Sequence, residues 1–172
     1  MKETYSCTVC GHRAFTTPFD NGAFRVRECR ACHYGMVDPI PSPAELDALY
    51  NSPLYYATHM HYDYQTLTRE AIDGRVTQSD RLHYPNLAPY VTPGQTLLEI
   101  GPGGGFALKA LQGRGLRVTG LETSTASCRF AAEKLEVPMI NRGIEDAGAE
   151  GPYDVVMLNH VLEHFTDLPA AL

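Results

Sequence analysis

No apolar run in this chain approaches the ~20 residues that a membrane helix needs, and "MKETYSCTVC" at the start has no apolar signal-peptide core. Low-complexity tracts are absent. Basic residues are outnumbered: 14 Lys and Arg stand against 20 Asp and Glu, a net charge of −6, and no segment carries a basic stripe. These absences argue against a membrane partner and against nucleic acid, and they leave a cytoplasmic protein with an acidic solvated surface as the expectation. What is present, 44% hydrophobic and 20% charged residues in 172, suits one well-packed domain with a small appendage.

Cysteine is sparse, but four of the five fall in two close pairs. Cys7 and Cys10 form one C-x-x-C, Cys29 and Cys32 a second, with eighteen residues between. That spacing lies inside the window for zinc sites. Each pair lets a tight turn present two thiolates to one ion, and two turns complete a tetrahedron. Between them, "AFTTPF", "DNG" and "AFRVREC" read as a hairpin turning near Asn21 and Gly22. A disulfide pair or redox site is disfavoured by the expected compartment. His12 and His33 adjoin the cysteines, but four thiolates already close the site. Residues 1–40 are thus expected to be a zinc ribbon whose metal is structural.

Residues 41–94 are expected to be a helical linker or lid. "PSPAELDALY" opens a helix, with Ser42 as N-cap, Pro43 at the first position and Glu45 closing a capping box. A second helix is expected over about 63–84. Tyr50, Tyr55, Tyr56, Tyr62 and Tyr64 cluster between them. Core packing is the ordinary explanation for such a cluster; a lid stacking over a bound ligand is the sharper one.

From about residue 95 to 172 strands and helices alternate. "QTLLEI", "LRVTGLE", "VPMIN" and "PYDVVMLN" read as four strands; "GGFALKALQGRG" and "STASCRFAAEKLE" read as helices. This alternation predicts an α/β fold with a doubly wound, mostly parallel sheet. Cys128, within the second of these helices, is expected to be a small buried apolar residue.

The chemistry concentrates in "LLEIGPGGGFALKAL". Gly101, Gly103 and Gly105 occupy the turn between first strand and first helix, at the sheet edge where ligands bind. Glu122 ends the next strand, where a carboxylate can accept hydrogen bonds from both hydroxyls of a ribose. A nicotinamide fingerprint, G-x-G-x-x-G, would put its third glycine at position 106, which is Phe106 here. The pattern is instead E-x-G-x-G-x-G, beginning at Glu99. A carboxylate there is unhelpful beside a pyrophosphate and suits a ligand with an amino group and a sulfonium.

"LLEIGPGGG", "GLETS", "NRGIED" and "YDVVMLNHVLEHFTD" together resemble the successive motifs of class I S-adenosylmethionine-dependent methyltransferases, over about residues 96–168. The N-terminal part resembles the zinc-ribbon extension of a bacterial subset of these enzymes. The resemblance implies a Rossmann-like domain over 95–172 that binds S-adenosylmethionine. By it, Gly101, Gly103 and Gly105 would line the methionine part and Glu99 its amino group. Glu122 would hold the ribose with Thr123 beside it, and Ile144 and Glu145 would meet the adenine. Asn159 and His160 would lie beside the donor and the substrate mouth. The implied acceptor is a small molecule: a sugar nucleotide, glycan precursor or secondary metabolite. The family's sheet has seven strands, whereas four are read here. The expectation is therefore an N-terminal half, holding the donor half-site, inactive alone and self-associating through an exposed sheet edge.

"NHVLEHF" also contains H-x-x-E-H, a zinc-peptidase spacing. His160 falls at a strand–helix junction rather than inside a helix, and no third ligand follows, so a methyltransferase motif is the better explanation. His164 is the candidate general base, because histidine titrates near neutral pH; a structural hydrogen bond is the plainer role. Two other functions compete: a cofactor- or protein-binding module without turnover, and a nicotinamide enzyme.

Overall fold

The computed structural model describes residues 6–52, 55, 63–144, 151–165 and 167–171. The chain forms two units, Met1–Leu46 with His164–Leu172, and Asp47–Glu163.

Three antiparallel strands, β1 (Phe15–Asp20), β2 (Arg25–Cys29) and β3 (Gly35–Asp38), make up the sheet of the first unit. The hairpin expected at Asn21 and Gly22 joins β1 to β2. Asn21 Oδ1 accepts from the Ala23 and Phe24 amides at 3.1 and 3.0 Å, and Gly22 turns the chain with a φ of 85°. β3 has no counterpart in the sequence reading, since four residues including a glycine and an aspartate carry too little alternation to signal a strand. Little is buried among the described residues here: Cys7, Cys29 and Asp38 alone fall below a tenth exposed. Asp38 is compensated by Arg25 and Arg27, each with Nε 2.7 Å from its Oδ2.

Helix α1 (Pro43–Tyr50) starts with the capping box that the sequence predicts. Glu45 accepts from the Ser42 amide at 2.8 Å, and Ser42 Oγ accepts from the Glu45 amide at 3.3 Å.

In the second unit, helix α2 (Arg69–Leu87) begins six residues later than expected. Residues 63–66 instead form a turn closed on Asp63, whose Oδ1 accepts from the Gln65 amide at 2.9 Å. Thr68 then caps the helix by accepting from Ala71. The other end also shifts, with Pro85 held inside the last turn.

Next come β4 (Thr96–Ile100), α3 (Phe106–Gly113), β5 (Arg117–Leu121), α4 (Thr125–Phe130) with a π-helical continuation Ala131–Leu135, β6 (Met139–Ile140) and β7 (Val155–Leu158). All four expected strands are there. They pair in parallel in the order β6-β5-β4-β7. β4 is an inner strand, paired along both edges: Leu97 pairs with Val118 on one side and with Val155 on the other. The core gathers Leu97, Leu108, Leu111, Phe130, Ala131, Leu135 and Val137 between sheet and helices. Burying each leucine is worth about 1.5–3 kcal/mol. Chain order runs outward from β4 through β5 to β6, then returns to the far side of β4 with β7. That reversal opens a crevice at the carboxyl ends of β4 and β7, where such sheets bind ligands.

A short 3₁₀ turn, Leu162–His164, and helix α5 (Leu168–Ala171) complete the described elements. No helix among the described residues is long and apolar enough to cross a membrane.

Candidate functional site

In the first unit the four sulfur atoms of Cys7, Cys10, Cys29 and Cys32 lie within 4.8 Å of one another. Cys7 and Cys32 are 3.6 Å apart, as are Cys10 and Cys29. Sulfurs bonded at about 2.3 Å to a tetrahedral ion stand about 3.8 Å apart, so this donor set fits zinc and is far from disulfide bonding. Both turns are built alike. The amide of Gly11 donates to Cys7 O at 2.8 Å, and that of His33 donates to Cys29 O at 2.9 Å. Gly11 and His33 both take positive φ, 73° and 60°. His33 turns away to Glu28, Nδ1 to Oε1 2.9 Å, so the four thiolates stand without it. With all four positions filled by sulfur, the centre is structural.

In the second unit the crevice is lined first by the β4–α3 turn. Gly101, Gly103 and Gly105 have φ of 67°, 53° and 75°, a region that disfavours any side chain. Gly101 is constrained twice: a Cβ there would sit 2.5 Å from Val161 Cγ2, where the chain leaving β7 crosses the loop. Sequence-distant ends thus close on the same point. Glu122, just past β5, reaches back across the turn. Its Oε2 accepts from the Gly103 amide at 2.9 Å, and its Oε1 accepts from the Ser124 amide at 2.8 Å and the Thr123 hydroxyl at 3.3 Å. The carboxylate is thereby fixed at the mouth.

Glu99 lies deeper, in β4 between Gly120 and Met157, at 3% exposure. Its Oε2 has no hydrogen-bond partner among the described residues. Burial, and then the nearby charge of Glu122, push its carboxyl up to about 8. A buried polar oxygen without a partner is costly, and a bound cationic group would relieve that cost.

Aromatic residues meet this corner from the preceding segment. Tyr50 and Tyr55 pack edge to face with centroids 5.3 Å apart. Burial raises both hydroxyls, with further contributions from Glu122 to each, and Tyr50 is pushed up to about 12. Tyr64 instead belongs to the core: it stacks on Phe130 at 4.5 Å and bonds Ser127 Oγ at 3.1 Å. The tyrosine cluster therefore divides, one member into the core and two beside Glu122. Tyr56 and Tyr62 lie outside the described residues.

The other expected positions fall as follows. Thr123 is exposed beside Glu122, and Ile144 is half-buried after β6. Glu145 lies outside the described residues. Asn159 is half-buried at the end of β7, and His160 follows in a left-handed conformation, φ 54°, with its ring exposed. His160 Nδ1 stands 3.7 Å from Glu163 Oε1. His164 is exposed at the end of the 3₁₀ turn. The H-x-x-E-H residues form no metal group, and the four cysteines are the one such group among the described residues. Cys128 is buried as expected, its thiol pushed up to about 11, chiefly by burial. Sequence reasoning missed Asn51 and Asn141, which hydrogen-bond to the turn after Glu122. A lone asparagine after a short strand gives no signal of that kind.

Residues 56–172 match the methyltransferase domain family. Among curated proteins, the chain is 39% identical over 88 residues to a ubiquinone biosynthesis O-methyltransferase of Methylobacterium sp. (strain 4-46), covering 48% of this chain and 35% of that one. The homonymous protein of Caulobacter vibrioides is 35% identical over 81 residues, covering 43% and 32%. The chain thus spans about a third of the length of these relatives. Among solved structures, the fold is similar to magnesium protoporphyrin IX methyltransferase of Synechocystis PCC 6803 with bound SAM, at TM-score 0.52 and 20% identity over 73% of this chain and 64% of that one. It is also similar to the plantazolicin methyltransferase BpumL in complex with SAH, at TM-score 0.51 and 19% identity, over 73% and 49%.

Proposed function

This chain belongs to the methyltransferase domain family, and from that premise we propose that its crevice holds S-adenosylmethionine for methyl transfer to a small-molecule acceptor. The observation that carries this reading is Glu99: a carboxylate at 3% exposure, with one oxygen unpartnered among the described residues, beneath a loop of three positive-φ glycines. That arrangement fits a ligand bearing an amino group close to a sulfonium. When bound, the donor supplies a methyl group already activated on sulfur, so no oxyanion hole is required.

The chain's own part is alignment, which can be worth about 7–11 kcal/mol. Glu99 receives the amino group, and the glycine turn lets the ligand approach the backbone. Glu122, held by two amides, accepts from the ribose hydroxyls, each such bond to a charged acceptor contributing about 1.5–3 kcal/mol. Thr123 and Ile144 border the nucleoside. Asn159 and His160 lie beside the donor and the substrate mouth. A base is needed only where the nucleophile arrives protonated, a role that could add roughly 100- to 10,000-fold; His164 is the candidate for it, and a structural hydrogen bond is its plainer role. The names of the curated relatives favour an oxygen nucleophile among the candidate sugar-nucleotide, glycan-precursor and secondary-metabolite acceptors.

Calorimetry with S-adenosylhomocysteine and with NAD tests the reading. Binding of S-adenosylhomocysteine without NAD binding is expected; NAD binding alone would overturn it. Turnover of the methyl donor with a panel of hydroxylated acceptors then separates an enzyme from a binding module.

A further inference from the structure

We propose that Asn141, assisted by Asn51, is a positioning residue for the ribose carboxylate Glu122. The proposal rests on the cofactor reading of the crevice and adds to it the part that fixes the geometry of its ribose end. Glu122 sits at the start of an exposed turn, with Thr123 and Thr125 open to solvent. Its carboxylate is aimed by the Gly103 and Ser124 amides, but those contacts fix the side chain only if the turn's own peptides hold still.

Asn141, directly after β6, holds them. Its Nδ2 donates to Glu122 O at 2.9 Å and to Thr123 O at 3.0 Å, while its Oδ1 accepts from Thr125 Oγ1 at 3.0 Å. One amide thus bonds three of the four residues from 122 to 125. Asn51 closes the turn from the other side, its Oδ1 accepting from the Thr125 amide at 3.3 Å. It is steadied by Asp47, whose backbone and side-chain oxygens accept from Asn51 Nδ2 at 3.1 and 3.0 Å. The Glu122 amide completes the frame by donating to Ile140 O at 3.0 Å.

Stabilisation of β6 does not account for this, because that strand is two residues long and the Asn141 side chain, among the described residues, bonds to the turn opposite. Binding groups held by fixed outer partners keep their geometry to within about half an ångström, and loosened partners lose affinity without losing the fold. The adjacency of Asn51 to Tyr50 also ties the half-buried tyrosine beside Glu122 to the same turn.

The test is a double-mutant cycle read by calorimetry with S-adenosylhomocysteine: the unaltered chain, Asn141→Ala, Glu122→Gln and the double variant. Asn141→Ala is expected to weaken binding about tenfold. Added to Glu122→Gln it is expected to change almost nothing further, because its effect passes through Glu122. Additive losses, or an Asn141→Ala affinity within twofold of the unaltered chain, would overturn the proposal. Should Asn141→Ala fail to fold, Thr125→Val removes only the hydroxyl that Asn141 accepts, and a loss of about threefold is expected; no loss overturns the proposal equally. If the unaltered chain does not bind S-adenosylhomocysteine, the cofactor reading itself fails, and the positioning role with it.

Discussion

The ribbon and the α/β unit are held by different forces. In the ribbon, the burial of β1 is nil apart from a half-buried Phe15, and the buried described residues are two cysteines and a paired aspartate. In the α/β unit, β4 and β5 each bury three of five residues, and helix α3 contributes Phe106, Leu108 and Leu111. The ribbon thus substitutes ligand bonds for a core it is too small to build. The α/β unit depends instead on the shape of its packed core. Each leaves a different trace in sequence, spacing in one and periodicity in the other.

Cys29→Ser, or removal of metal by a chelator, should have the largest effect. In small zinc domains, metal-binding free energy is folding free energy, so hydrogen exchange over residues 7–38 should rise to that of an unfolded chain. The α/β unit should keep its protection. A ribbon that stayed protected without metal would erase the contrast.

The converse is Leu108→Ala, at 0% exposure in the core. Denaturant unfolding should show a loss of about 2–5 kcal/mol in the α/β unit, with zinc content unchanged. Glu122→Ala comes next. S-adenosylhomocysteine affinity should fall at least tenfold, since charged-acceptor bonds are lost, with little change in the unfolding midpoint. A change below threefold would remove Glu122 from the site.

Glu99 sharpens the comparison through pH. Its folded-state value, about 8, lies above the ordinary 4.5, so the folded state holds a proton that the unfolded state releases. Its contribution to stability is therefore present below about pH 4.5 and fades as pH rises toward 8. Thermal midpoints measured across that window should decline less in Glu99→Gln than in the unaltered chain. An identical decline would show that Glu99 is not the group responsible. The ribbon should contribute none of this difference. The smallest effect is expected from Asp80→Asn, which removes the α2–α3 ion pair to Arg114 at 2.6 Å. Both partners keep contact with water, so the midpoint should barely move.

The four strands, the helices between them, the hairpin and the capping box were legible because each is set by local pattern. The cysteine centre was legible for a similar reason, since a tetrahedral ion fixes the spacing within each pair. The start of α2 was not: Asp63 and Thr68 both favour turns and caps, and only the Asp63 turn and the Thr68 cap, seen together, place the helix at Arg69. The five tyrosines looked like one cluster because proximity in sequence carries no information about which face each meets.

For the site, the sequence determined the residue types: glycines where φ turns positive, a carboxylate after β5, and another inside β4. Tertiary structure decided what those residues do to one another. Only the return of β7 beside β4 brings Val161 onto Gly101, and only the pairing of β6 with β5 sets Asn141 against the Glu122 turn. Only burial between β5 and β7 leaves Glu99 Oε2 without a partner among the described residues. Local chemistry is written residue by residue, whereas contacts between residues far apart in the chain depend on strand order, which no single stretch of it encodes.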